Sequence, residues 1–281
     1  MTEKPSVASE YGPELVELAR STTLYVCTKL GDYMEQFVVV GGLVPTLIIP
    51  QDPPPEGADI HLGTRDLDIG FSLGILDKNR YHEISARLRS AGFAPDTNDR
   101  GNPTFQKWRL KEDLGVSIDF LIPQTDPDDV GGTIKNLEED FAAIITPGLE
   151  LAFEDRILTH ISGRTILGGK AERDVWVCGP GAYVVLKAIA FRLRGENKDA
   201  YDLVYVIRNF ADGPQDVAGR LIPLLSSEAG QQAIRVLQTD FASPDSLGPF
   251  RVALFVDGKP NETLQADASS FVGELLRHCS K

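Results

Sequence analysis

Thr64-Arg-Asp-Leu-Asp-Ile-Gly-Phe71 alternates polar and apolar side chains. At a period of two, Leu67, Ile69 and Phe71 fall on one face of a strand, and Asp66 and Asp68 on the other. Two carboxylates aimed the same way repel, and one is driven to stay protonated unless a cation offsets them. A divalent ion removes that cost. Magnesium favours carboxylate oxygens, keeps several waters and is commonly completed by substrate phosphates.

Outward from this strand the same chemistry recurs. Upstream, Phe37-Val-Val-Val40 is a β-branched run that ends at Gly41-Gly42, a buried strand entering a tight turn, with a short helix expected over 43–49. Downstream, Val116-Ser-Ile-Asp-Phe-Leu-Ile122 is a second strand, with Asp119 set among side chains that favour burial. An ionised carboxylate there needs a partner. If the two strands are neighbours, Asp119 shares the face of Asp66 and Asp68. Three carboxylates can hold two magnesium ions, which clamp the attacking and leaving oxygens of an in-line phosphoryl displacement. Glycines after a buried strand let backbone amides approach phosphate oxygens. The plainer alternatives are a solvated strand face for the two aspartates and a structural turn for the two glycines.

The remaining periodicities set the organisation. Leu15 to Leu30 recurs at helical spacing, residues 79–92 read as a helix stopping at Gly92, and 105–110 read as a strand joined to 116–122 by a hairpin. Pro50-Gln-Asp-Pro-Pro-Pro-Glu-Gly57 is a loop. Short strands are expected at 150–153, 164–167, 175–178 and 251–256. Helices are expected at 180–194, 198–209, across 214–240 and at 262–278. The fold class is α+β: a mixed sheet flanked by helices over 1–140, and a mainly helical lobe over 141–281.

Composition narrows the class. With 28 basic and 41 acidic side chains the chain carries a formal charge of −13, which argues against broad binding to duplex DNA and leaves room for metal ions or cationic molecules. The 3 cysteines are scattered, without metal-ligand or disulfide-framework spacing. No stretch reads as a signal peptide or membrane span, so a cytoplasmic protein without membrane partners is expected. His61 reads as an exposed loop histidine, with contact to substrate as the second reading, and Trp108 and Trp176 read as core. Lys107, Arg109 and Lys111 read as a solvated strand edge, with a small basic edge facing a nucleic acid as the second reading.

Taken in order, Val39-Val-Gly-Gly-Leu43, Thr64-Arg-Asp-Leu-Asp-Ile69 and Ser117-Ile-Asp-Phe-Leu121 resemble the core signature of the DNA polymerase β-like nucleotidyltransferases. Leu186-Lys-Ala-Ile-Ala-Phe-Arg-Leu-Arg-Gly-Glu-Asn-Lys-Asp-Ala-Tyr-Asp-Leu203 resembles the corresponding motif of the AbiEii-type members, which include toxins of abortive-infection and type IV toxin–antitoxin systems. The resemblance spans roughly residues 35–210 and is specific through the combination of motifs. The 24 positions from Gly42 to Asp66 are a longer interval than is usual in such proteins.

What the resemblance implies is a nucleotidyltransferase fold and magnesium-dependent transfer of a nucleoside monophosphate from an NTP such as ATP to an acceptor hydroxyl. Asp66 and Asp68 would ligate metal, and Asp119 would ligate the catalytic ion and help deprotonate the acceptor. Gly41 and Gly42 would sit against the triphosphate, with Thr64 and Arg65 nearby. Lys187, with a catalytic role, and Lys198 would face the NTP. Asp199 would orient them, and Asp202 would brace the turn. The acceptor would be a tRNA 3′ end or a protein, with an antitoxin as a further partner. A small-molecule acceptor such as an aminoglycoside is the alternative enzyme reading, and a non-catalytic nucleotide- or partner-binding relative is the reading from another class.

Overall fold

The alternation in 66–71 and the apolar runs around it place their side chains as a sheet requires. The computed structural model describes residues 7–64, 66–72, 78–111 and 116–280. Its contacts divide the chain into two units, one of residues 13–44 and 63–178, the other of the segments up to residue 12, 45–62 and from 179 onward.

The first unit is a mixed sheet with helices against it. Its strands are β1 (Phe37–Val40), β2 (Asp66–Phe71), β3 (Phe93–Thr97), β4 (Pro103–Leu110), β5 (Ser117–Ile122), β6 (Ile134–Glu138), β7 (Phe141–Ile145), β8 (Arg156–Arg164) and β9 (Lys170–Cys178). The order is β3-β4-β5-β2-β1-β9-β8, with β7 beside the end of β5 and β6 beside β7. β2 runs antiparallel to β1 and parallel to β5, while β4 runs antiparallel to β5. Helices α1 (Pro13–Lys29) and α3 (Lys78–Ser90) pack on the sheet. The core face joins Phe71, Phe120, Phe141, Trp108 and, from α3, Tyr81, with the Phe71 and Phe120 rings stacked 5.3 Å apart at an interplanar angle of 5°. Each such ring taken out of water stabilises the fold by roughly 2–3 kcal/mol.

The short helix α2 (Val44–Ile48) follows the Gly41–Leu43 turn. A one-turn helix, α4 (Leu151–Glu154), stands where a strand is expected at 150–153. Residues 165–169 are the turn between β8 and β9, not a strand. The turn expected at 111–115 lies largely outside the described residues, although the antiparallel pairing it would join is present.

The second unit is helical: α5 (Pro180–Arg194), α6 (Asn197–Asn209), α7 (Pro214–Leu221), α8 (Glu228–Asp240), α9 (Leu247–Asp257) and α10 (Glu262–Cys279). Local signals bound these helices. Pro180 opens α5, and Gly195 closes it at φ +66°. The Ser227 hydroxyl accepts from Gly230 N–H at the start of α8, and the Asn261 side chain accepts from Thr263 and Leu264 N–H at the start of α10. Residues 251–256 belong to α9 rather than to a strand. The run Arg251-Val-Ala-Leu-Phe-Val256 is apolar because α9 packs against both α6 and α10, and burial on several sides erases the helical period.

The helical unit begins at Gly179, later than the break expected after 140, because β7, β8 and β9 complete the sheet. The Pro-rich loop joins the helical unit instead. Tyr205 Oη donates to Asp59 O at 3.0 Å, and Arg208 Nη2 to Gly57 O at 2.9 Å. Among the described residues, no helix is long and apolar enough to cross a membrane.

Candidate active site: a carboxylate face and a buried charge network

Strand register builds the carboxylate face. The parallel pairing of β2 with β5 sets Asp66 opposite Ser117 and Asp68 opposite Asp119. The β4 pairing sets Lys107 opposite Asp119. Because paired positions share a face, Asp66, Asp68, Ser117, Asp119 and Lys107 all project from one side of the sheet, away from the aromatic core.

Gly41 closes this face from above. Its φ is +72°, and a Cβ built there would lie 1.8 Å from Asp68 Oδ2. The carboxylate thus occupies the space a side chain would fill, and only glycine permits both the backbone angle and the approach. Gly42 is buried in the same turn. The Thr64 hydroxyl accepts from Asp66 N–H at 3.3 Å, bracing the entry to β2. Arg65 lies outside the described residues.

The electrostatics follow from that crowding. Lys107 Nζ lies 3.0 Å from Asp119 Oδ2, 3.3 Å from Asp66 Oδ1 and 3.1 Å from Ser117 Oγ. The Ser117 hydroxyl also donates to Asp66 Oδ1. Burial pushes Asp119 up to about 7; Lys107 opposes the rise, and the Asp68 and Asp66 carboxylates add to it. Burial also works against the Lys107 charge, but Asp119 and Asp66 overcome it and hold the ammonium above the ordinary lysine range.

A hard divalent cation suits this donor set, which offers carboxylate oxygens and excess negative charge. Even so, no group of three Asp, Glu, His or Cys side chains converges as a metal cage among the described residues. The Lys107 ammonium lies between Asp66 and Asp119 instead. The sequence reading of Lys107 as a solvated strand edge is therefore corrected. β4 is an inner strand between β3 and β5, and Arg109 on it is paired with Asp96 at 3.1 Å.

The helical unit carries a second constellation. Lys187 on α5 donates to Asp199 at 2.9 Å and to Asp202 at 2.7 Å, both on α6. Arg194 reaches Asp199 with two bonds, at 2.6 and 2.7 Å, and Lys198 reaches both oxygens of Asp202 at 2.6 and 2.9 Å. His61 Nε2 completes the set 2.9 Å from Asp202 Oδ1. Far from an exposed loop residue, His61 is 1% exposed, stacked on Tyr201 and edge-on to Tyr205. Its backbone N–H donates to Gln51 Oε1.

Burial pushes His61 down to about 4 although Asp202 pulls the other way, so the ring is neutral at physiological pH. Burial disfavours the Lys187 charge too, yet Asp199 and Asp202 raise it above the ordinary lysine range. Lys198 is held below that range by burial and by the neighbouring Lys187, against the pull of Asp202. Both aspartates stay ionised: burial opposes their charge, and the cations around them outweigh it. Lys187 thus faces carboxylates in its own unit, its side chain 8% exposed, whereas Lys198 is 16% exposed.

Sequence reasoning missed three residues of these constellations: Lys107, Ser117 and His61. The first two are opposite known acids once the register is fixed. For His61 the only local hint is an apolar setting, Ile60-His-Leu62, at the end of the Pro-rich loop. Trp108 is core as expected, but Trp176 is only half-buried, with Nε1 donating to Glu35. No protein-family model matches this chain, and no curated protein matches it.

Proposed function

We propose that the chain is a nucleotidyltransferase of the AbiEii type, moving a nucleoside monophosphate from an NTP to an acceptor hydroxyl. The observation that carries the reading is the register of β2 on β5, which sets Asp68 opposite Asp119 with Gly41 closed onto Asp68. Like charges placed opposite each other destabilise a sheet, and the single Lys107 ammonium offsets only part of the charge of the three acids.

In this reading Asp66 and Asp68, with Asp119, hold magnesium. When bound, the ions supply charge neutralisation at the phosphates and make the acceptor hydroxyl a better nucleophile. The residues do the rest. Asp119 takes the acceptor proton as the new bond to the α-phosphorus forms and the bond to pyrophosphate breaks. The Gly41-Gly42 turn lets the triphosphate come close to the backbone. In the helical unit, Lys198 is less buried than Lys187 and is held by both oxygens of Asp202.

Incubating the protein with each α-labelled NTP and Mg²⁺, against total RNA, cell protein or an aminoglycoside panel, tests the proposal and sorts the acceptors. Label in the RNA or protein fraction supports the toxin-like reading, and label on an aminoglycoside the small-molecule one. Nucleotide binding without label in any fraction would leave only a non-catalytic relative.

A further inference from the structure

We infer that Lys107 is the resident cation of the carboxylate face, and that a divalent ion enters by exchange against its ammonium. This rests on the metal-binding reading of Asp66, Asp68 and Asp119.

The placement is built into the sheet. Lys107 stands on an inner strand, and register puts its Cα opposite that of Asp119. Its ammonium has three protons and meets three oxygens: Asp119 Oδ2 at 3.0 Å, Ser117 Oγ at 3.1 Å and Asp66 Oδ1 at 3.3 Å. Ser117, itself opposite Asp66, shapes the seat by donating to the same carboxylate.

Charge counting gives the seat its meaning. Three ionised carboxylates held together by the sheet would repel, and Lys107 removes one unit of that charge. The remaining excess attracts a divalent ion, whose place between Asp66 and Asp119 is the one that Lys107 fills. A lysine suits an exchangeable place, because it is a compact point charge on a flexible stem. An arginine would hold a carboxylate through a rigid fork and yield it less readily. Lys107 is therefore a positioning residue that sets how tightly metal is held, distinct from the acids that hold it.

The test is a Mn²⁺ titration of the full chain followed by electron paramagnetic resonance, on the wild type, Lys107→Met and Lys107→Arg, with circular dichroism confirming the fold. Removing a unit charge beside two ligand oxygens should tighten Mn²⁺ binding about tenfold in Lys107→Met. Lys107→Arg should bind more weakly than the wild type, and it keeps the question decidable if the methionine variant does not fold. Equal affinity in the wild type and the variants overturns the exchange while leaving the metal site standing. Absence of Mn²⁺ binding in every form overturns the metal-binding reading itself, and the exchange with it.

Discussion

Gly41 and Asp68 share one volume, and this makes a single methyl group informative. In Gly41→Ala the new Cβ would lie 1.8 Å from Asp68 Oδ2, far inside van der Waals contact, so the carboxylate has to move. The backbone strain at positive φ costs only about 1 kcal/mol, so the fold should survive. A displaced reacting group, by contrast, costs on the order of 100-fold in rate. The expected outcome is a small drop in melting temperature with NMP transfer reduced about 100-fold, read by melting curves and label transfer.

At the same scale, His61 should be silent where an ordinary histidine titrates. Its folded pKa, about 4, is below the unfolded value, so stability from the neutral ring is present above about pH 6.5. It is lost as pH falls from there towards 4. Asp119 in the metal-free protein shifts the opposite way, so the His61 contribution is isolated by comparison with His61→Gln. The stability advantage of the wild type over that variant should shrink across this window, and the His61 ring resonance should stay at its neutral shift from pH 8 to about 5. A resonance titrating near 6.5 would contradict the buried placement.

Among the elements, the α5–α6 pair depends on charges that are hidden from water. Lys187→Ala would leave Asp199 and Asp202 with Arg194, Lys198 and His61 but without their shared central cation. Removing one partner of a buried ion pair costs about 3–5 kcal/mol. The remaining cations should keep the loss near the lower bound, measurable by denaturant unfolding. Unchanged stability would show that the ammonium is not buried against its carboxylates. Period-two alternation placed the three acids on strands, and helical spacing placed α1, α3, α5, α6 and α10. What periodicity does not carry is register, which is why Lys107 and Ser117 escaped. Nor does it separate a strand from a helix buried on several sides, as α9 demonstrates.

On the scale of the whole molecule, the chain does not divide by a single cut. Residues 45–62 lie in the helical unit although they precede most of the sheet, and His61 and Gln51 reach Asp202 and Tyr205 from that segment. A protease site engineered between Cys178 and Gly179 should therefore give two fragments that co-purify after cleavage and separate only on denaturation. Clean separation under native conditions would contradict the assignment of 45–62 to the helical unit. The segment was legible as a loop from its prolines, but its destination was not, because long-range contacts leave no local pattern.

The central claim is that the acid face of the sheet transfers nucleotide, and the measurement that tests it most directly is label transfer from α-labelled NTP in Mg²⁺ by the wild type and by Asp66→Ala/Asp68→Ala. The wild type should label an acceptor, with the signal abolished by EDTA and by the double substitution while the helical content stays unchanged. Undiminished transfer by the double variant would contradict the account.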